Sequence, residues 1–275
     1  MARSIELIEQ DIAVLQEAMG AIAVELHNAY ADYLSTLGQA LGKQLILASY
    51  HLCTQGYPEK FLRLSLNQRQ KLQQAIRKLG QGGAELLLSY IQGEGDKKEE
   101  HKEDEEVTYV SEVSEVNSPL KSFSPNFSNP FELGKWQQNL ENLLQELLKN
   151  VSRDANVLLQ KAGILPKKLP EPVLEAAATV SEASAEVMPG PPNLLNLVLE
   201  IENEKDLENP KITQIMAINL RLGEIEFADT KLSCERRQIR HILVQLNKIG
   251  RDYQKKQRER SVAEAESAWR ASWFE

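Results

Sequence analysis

The chain has 275 residues, of which 42% are hydrophobic and only 6% aromatic, with a formal net charge of −8. So little aromatic surface argues against a thick-cored enzyme domain and for long helices packed along narrow apolar seams. Two cysteines, Cys53 and Cys234, are too few for a disulfide framework and suit a reducing compartment.

The opening Met1-Ala-Arg-Ser runs straight into an amphipathic pattern without a signal-peptide core. No window reaches the roughly 20 apolar residues of a membrane span, so a cytoplasmic location is expected. Charge is polarised along the chain. Residues 1–42 hold six acids against Arg3 (net −5), and residues 231–260 hold ten bases against three acids (net +7). Such opposite segments attract one another or separate partners.

From the amino terminus, Ile5, Ile8, Ile12, Leu15, Met19, Ile22 and Leu26 fall at heptad positions, a coiled-coil seam that continues through Ala29 and Tyr33. The phase then shifts to Leu37, Leu41 and Leu45, as a stutter near Tyr33 would produce. Gly38 and Gly42, four residues apart, would let a neighbouring helix approach closely. Gly56-Tyr-Pro-Glu breaks the helix. A second helix begins at Ser65, with Gln68 at capping-box spacing, and Gly80, Gly82 and Gly83 interrupt it. Residues 1–92 therefore read as a helical hairpin or small bundle.

Residues 93–128 change character. Eight acids face three lysines between Glu94 and Glu106, and a serine-, asparagine- and proline-rich stretch follows, which reads as a disordered linker. Its Ser118-Pro119 and Ser124-Pro125 dipeptides are common in such linkers. Residues 129–163 form an amphipathic middle helix that Asn129-Pro130 opens and Gly163 ends, with Leu133, Trp136, Leu140, Leu143, Leu147, Val151 and Leu158 on its apolar side. Residues 164–193 read as a second linker, proline- and alanine-rich, with a transient helix over Val173 to Val187.

Residues 194–275 are expected to be a helical, basic coiled-coil segment. Leu194 to Ile201 fits either a strand or a helix and is read as helix from its neighbours. Asn209-Pro210 caps the final helix, whose seam comprises Ile218, Leu222, Ile225, Leu232, Ile239, Leu243, Leu246 and Tyr253. Pairing of Arg221 with Glu226 and of Glu235 with Arg240 would favour a parallel homodimer. Asp229 and Arg236, at a positions, would each meet their own copy, which is costly. The basic helix is thus better matched to the acidic amino-terminal helix or to a different protein.

Its basic face comprises Arg236, Arg237, Arg240, Lys248, Arg251, Lys255, Lys256, Arg258 and Arg260, a surface suited to phosphates although no nucleic-acid-binding signature accompanies it. Trp269, Trp273 and Phe274 form an aromatic end of the kind enriched in protein-docking surfaces.

Chemistry is not apparent. His27, His51, His101 and His241, with the two cysteines, show no metal-ligand spacing. Gly80-Gln-Gly-Gly lacks the lysine and hydroxyl of a phosphate loop, and no G-x-S-x-G elbow is present. The expectation is an all-α, extended helical and coiled-coil protein without cofactor or metal. It would act as a non-enzymatic scaffold or adaptor through protein partners, a second copy among them, with nucleic-acid association by the basic helix as the alternative.

Overall fold

The computed structural model describes residues 5–92, 130–166, 191–201 and 211–273. Among the described residues the protein is all-α with one small two-stranded sheet. Its helices are α1 (Ile5–His51), α2 (Pro58–Leu62), α3 (Leu66–Gln92), α4 (Pro130–Lys161), α5 (Leu222–Ala228) and α6 (Thr230–Ala271); the strands are β1 (Leu194–Ile201) and β2 (Lys211–Ile218). The expected linker features at Ser118-Pro119, Ser124-Pro125 and Val173 to Val187, and the Asn209-Pro210 cap, lie outside the described residues. The chain forms two compact units. One combines Met1–Tyr33, Ser89–Asn142 and Glu235–Glu275, the other Leu34–Leu88 and Leu143–Cys234.

In the first unit the heptad residues Ile8, Ile12, Met19, Ile22 and Leu26 of α1 are buried, Ile5 and Leu15 half-buried. They share a core with Leu133, Trp136 and Leu140 of α4 and with Ile239, Ile242 and Leu246 of α6. Asp11 pairs with Lys256 while Tyr33 lies by Arg236, so α6 runs antiparallel to α1. His27 and Tyr30 stack near Trp136, and Tyr30 bonds Glu141, so α4 runs parallel to α1. The acidic amino-terminal helix and the basic final helix therefore meet within one chain.

In the second unit the buried positions of α1 change to Leu37, Leu41 and Leu45, four residues apart, consistent with the phase shift. A π-helical turn, Leu52–Gly56, and Pro58 at the start of α2 end the long helix. Ser65 and Gln68 form the capping box. The Ser65 N–H donates to Gln68 Oε1 (2.8 Å) and the Gln68 N–H to Ser65 Oγ (3.3 Å).

The glycines of α3 do not interrupt it. Instead they allow close packing on α1. A Cβ on Gly80 would lie 3.1 Å from Gly42 Cα, one on Gly38 2.9 Å from Ala84 Cβ, and one on Gly83 3.0 Å from Leu41 Cδ2. Missing side chains here bring two backbones together, and the packing gained offsets glycine's low helix propensity.

Helix α4 starts at Pro130 and ends in a Schellman motif: the Ile164 N–H donates to Leu159 C=O, and the N–H of Gly163, at φ +79°, to Gln160 C=O (both 2.9 Å). Ile164 and Leu165 are buried, so the start of the segment read as a linker belongs to the packed unit.

Leu194–Ile201 and Lys211–Ile218 are not helix. They form an antiparallel hairpin with Leu194 opposite Ile218 and Ile201 opposite Lys211. Side chains satisfy the outer edge of β2 where a further strand would otherwise be needed. The Asn156 carboxamide accepts from the Ile218 N–H and donates to its C=O (both 2.9 Å). The Tyr57 hydroxyl accepts from the Met216 N–H (3.0 Å) and donates to its C=O (3.2 Å).

The hairpin is entered through Asn193, a buried residue in the left-handed region at φ 60°. Its side chain accepts from the Arg221 N–H (3.0 Å) and donates to Gln44 Oε1 (3.1 Å), its C=O accepts from the Asn219 N–H (3.0 Å), and its own N–H donates to Glu224.

The glycines make a paired prediction for stability. A methyl group at Gly20 would have no neighbour within 4 Å, so Gly20→Ala is expected to stabilise by about 0.5–1 kcal/mol through helix propensity. Gly38→Ala meets Ala84 and is expected to cost about 1 kcal/mol or more despite the same propensity gain. Chemical denaturation of the two variants checks the opposite signs.

Candidate partner-binding surface

The final helix begins at Asp229, whose Oδ1 accepts from the N–H groups of Lys231 (2.9 Å) and Leu232 (3.2 Å). Asp229 is therefore an N-cap, not a seam position. The expected continuous heptad is corrected accordingly. Ile218 lies in β2, Leu222 and Ile225 in the short α5, and only Leu232, Ile239, Leu243, Leu246 and Tyr253 in α6. Of these seam residues Ile218, Ile225, Leu232, Ile239 and Leu246 are buried, and Leu222, Leu243 and Tyr253 half-buried. Arg221 pairs with Glu224 at 2.9 Å, not in a helix-to-helix bridge with Glu226.

Arg236, the second charged residue at an expected seam position, is held inside the first unit. Its guanidinium donates to both oxygens of Glu141, the Nη2 bond being 2.7 Å, and lies 5.3 Å from the centre of the Tyr33 ring. The Tyr30 hydroxyl donates to Glu141 Oε1 (2.6 Å) and accepts from Gln137 Nε2 (3.2 Å). Burial pushes the Tyr30 hydroxyl well above the ordinary tyrosine value, and the charge of Glu141 adds to this. Burial would also raise Glu141, but hydrogen bonds from Arg236 and Tyr30 outweigh it and hold the carboxyl below its usual 4.5. The group is a polar network in which the Arg236–Glu141 ion pair has bidentate geometry.

The basic face is thus divided. Arg236 is used in the interior. Lys256 bridges Asp11 and Glu259 (each 2.9 Å), which hold its ammonium above the ordinary lysine value, and Arg260 lies 3.3 Å from Glu264. Arg237, Arg240, Lys248, Arg251, Lys255 and Arg258 are exposed on the outer side.

Past Arg260 every described residue of the helix except Ala263 is exposed. Trp269 and Trp273 are 66% and 73% exposed, with ring centres 5.9 Å apart. They pack on each other, not on the bundle. Phe274 lies outside the described residues. Cys53 is buried, and burial pushes its thiol up to about 11, which leaves it protonated and unreactive at neutral pH; Cys234 is exposed. No described group of three His, Cys, Asp or Glu side chains is placed to hold a metal ion, and no described helix is long and apolar enough to cross a membrane.

Sequence periodicity located Ile239, Leu246 and the exposed bases. It missed Glu141, Tyr30 and Gln137, because their partner is 95 or more residues away and no local spacing signals it. No protein-family model, curated protein or solved structure matches the chain.

Glu141→Gln leaves the half-buried Arg236 without its anion and is expected to cost up to about 3 kcal/mol; adding Arg236→Met is expected to recover part of that loss. Since the folded-state pKa of Glu141 is lowered, its contribution is present above the ordinary value of 4.5 and is lost as pH falls through the folded value. The fall in stability of the parent protein below that pH should be flatter in Glu141→Gln. Denaturant melts across acid pH measure both effects.

Proposed function

We propose that the protein is a non-enzymatic scaffold or adaptor whose final helix carries a docking point for another protein. The observation that supports this is the exposed Trp269–Trp273 pair on a helical end that extends past the last ion pair with α1. Two indoles left in water cost hydrophobic free energy that a partner groove would recover, and tryptophan is among the residues most enriched at interface hot spots. The helical end that carries them projects past the packed part of α6, so both rings are open to a partner. A cytoplasmic location agrees with two free cysteines.

Association with nucleic acid is the weaker reading. Arg236, Lys256 and Arg260 are engaged by carboxylates, and the chain as a whole is at −8.

Trp269→Ala with Trp273→Ala is expected to leave the thermal melt within about 0.5 kcal/mol of the parent, as exposed substitutions do. The same variant is expected to lose at least tenfold of the yield of co-purified proteins captured by the parent, read by quantitative mass spectrometry. Equal capture by the two proteins would count against the docking role, and a large drop in melting temperature would make the pair structural.

A further inference from the structure

The first unit carries two outward faces of opposite charge that its own fold keeps apart. At 100° per residue, Arg240, Lys248, Arg251, Lys255 and Arg258 fall within a sector of about 80° on α6, roughly opposite the buried Ile239, Ile242 and Leu246. Val244, 65% exposed, lies among them. On α1 the exposed Glu6, Glu17, Glu25 and Asp32 fall within about 100°, on the side away from Ile8, Ile12, Met19 and Leu26. This sector also holds the exposed Leu7, Val14 and Val24.

Both faces have the same composition plan, charge interleaved with exposed aliphatic side chains, and similar axial spacing. Glu6, Glu17 and Glu25 are 11 and 8 residues apart, Arg240, Arg251 and Arg258 11 and 7. Because each face points away from the core that α1 and α6 share, the two cannot meet within one molecule.

We propose that the outer face of α1 binds the outer face of α6 on a second copy of this chain, a head-to-tail contact that leaves one face of each kind open at the ends of the assembly. The occupant follows from the charge pattern. A polyanion would engage the bases but leave the acidic, partly apolar face of α1 bare, whereas copies of this chain joined head to tail cover faces of both kinds. Overlap along about 30 Å of helix at about 10 Å width buries about 600 Å² in all at each contact, the size of a weak, concentration-dependent association. The contact is mostly exposed charge, so it is salt-sensitive. It is independent of tryptophan docking.

Sedimentation velocity of the full chain tests this. Concentration-dependent self-association is expected at about 0.1 M salt and monomer at about 1 M, where the screening length falls from about 10 Å to about 3 Å. Glu17→Lys with Glu25→Lys, and separately Arg251→Glu with Lys255→Glu, should each weaken self-association at least tenfold while keeping the parent helicity by circular dichroism. Mixing the two variants should restore a one-to-one complex that grows no further, because the unaltered α6 face of the first meets the unaltered α1 face of the second. Trp269→Ala with Trp273→Ala should leave self-association unchanged, which separates this contact from the docking role. A parent that stays monomeric at low salt, a mixture that does not reassociate, or a parent that binds duplex nucleic acid or anionic vesicles through Arg251 and Lys255 in place of self-associating would overturn the proposal.

Discussion

The bidentate contact between Arg236 and Glu141 is the constraint on which the first unit depends. A charge placed among packed helices is costly unless its counter-ion is fixed and the remaining lone pairs are used, and both conditions hold here, through Tyr30, Gln137 and the face of Tyr33. The pair also sets register. Sliding α6 by one turn past α4 would move the guanidinium about 5.4 Å from its carboxylate and leave both ions unpaired, whereas an all-apolar seam of leucine and isoleucine would tolerate the slip. Specific alignment of three long helices thus rests on a few polar atoms.

The second unit solves a different problem, that of a two-stranded sheet with open edges. Isolated hairpins are marginal in water. Here Tyr57 and Asn156 replace the missing neighbour of β2 by bonding both backbone groups of Met216 and Ile218, and the Ser152 hydroxyl accepts from the Leu220 N–H just beyond it at 2.9 Å. Asn193 ties the start of β1 to Asn219 and Arg221, just beyond the end of β2. Four polar side chains, two of them on α4, therefore hold a β-element within a helical protein.

The all-α class, the break at Gly56 to Pro58, the Ser65–Gln68 box, the start of α4 at Pro130 and its end near Gly163 were legible, because each depends on contacts within about one helical turn. The hairpin was not. Leu195, Leu197 and Leu199 alternate as a strand does, yet the heptad-like run of Ile218, Ile225 and Leu232 draws residues 212–232 into one helix. What decides the issue is pairing between segments and support from Tyr57 and Asn156, none of which is local. The local clue in the sequence is Asp229-Thr230: an aspartate before a helix-forming run marks an N-cap, and it places the helix start well after Ile218. The exposed bases and tryptophans were legible as surface chemistry, but which bases are already committed to carboxylates depends on the tertiary fold.

Both units are assembled from separated stretches of the chain: the first needs Met1–Tyr33 and Glu235–Glu275, and the second is completed only by Leu143–Cys234. During synthesis the acidic helix therefore emerges some two hundred residues before the helix that covers its apolar side. Its Ile8, Ile12, Met19 and Leu26 stay without their final neighbours for most of translation, and at about 5–20 residues per second that wait lasts on the order of ten seconds or more. The acids on its other face then have a second use, keeping an unfinished nascent helix soluble until its basic counterpart arrives.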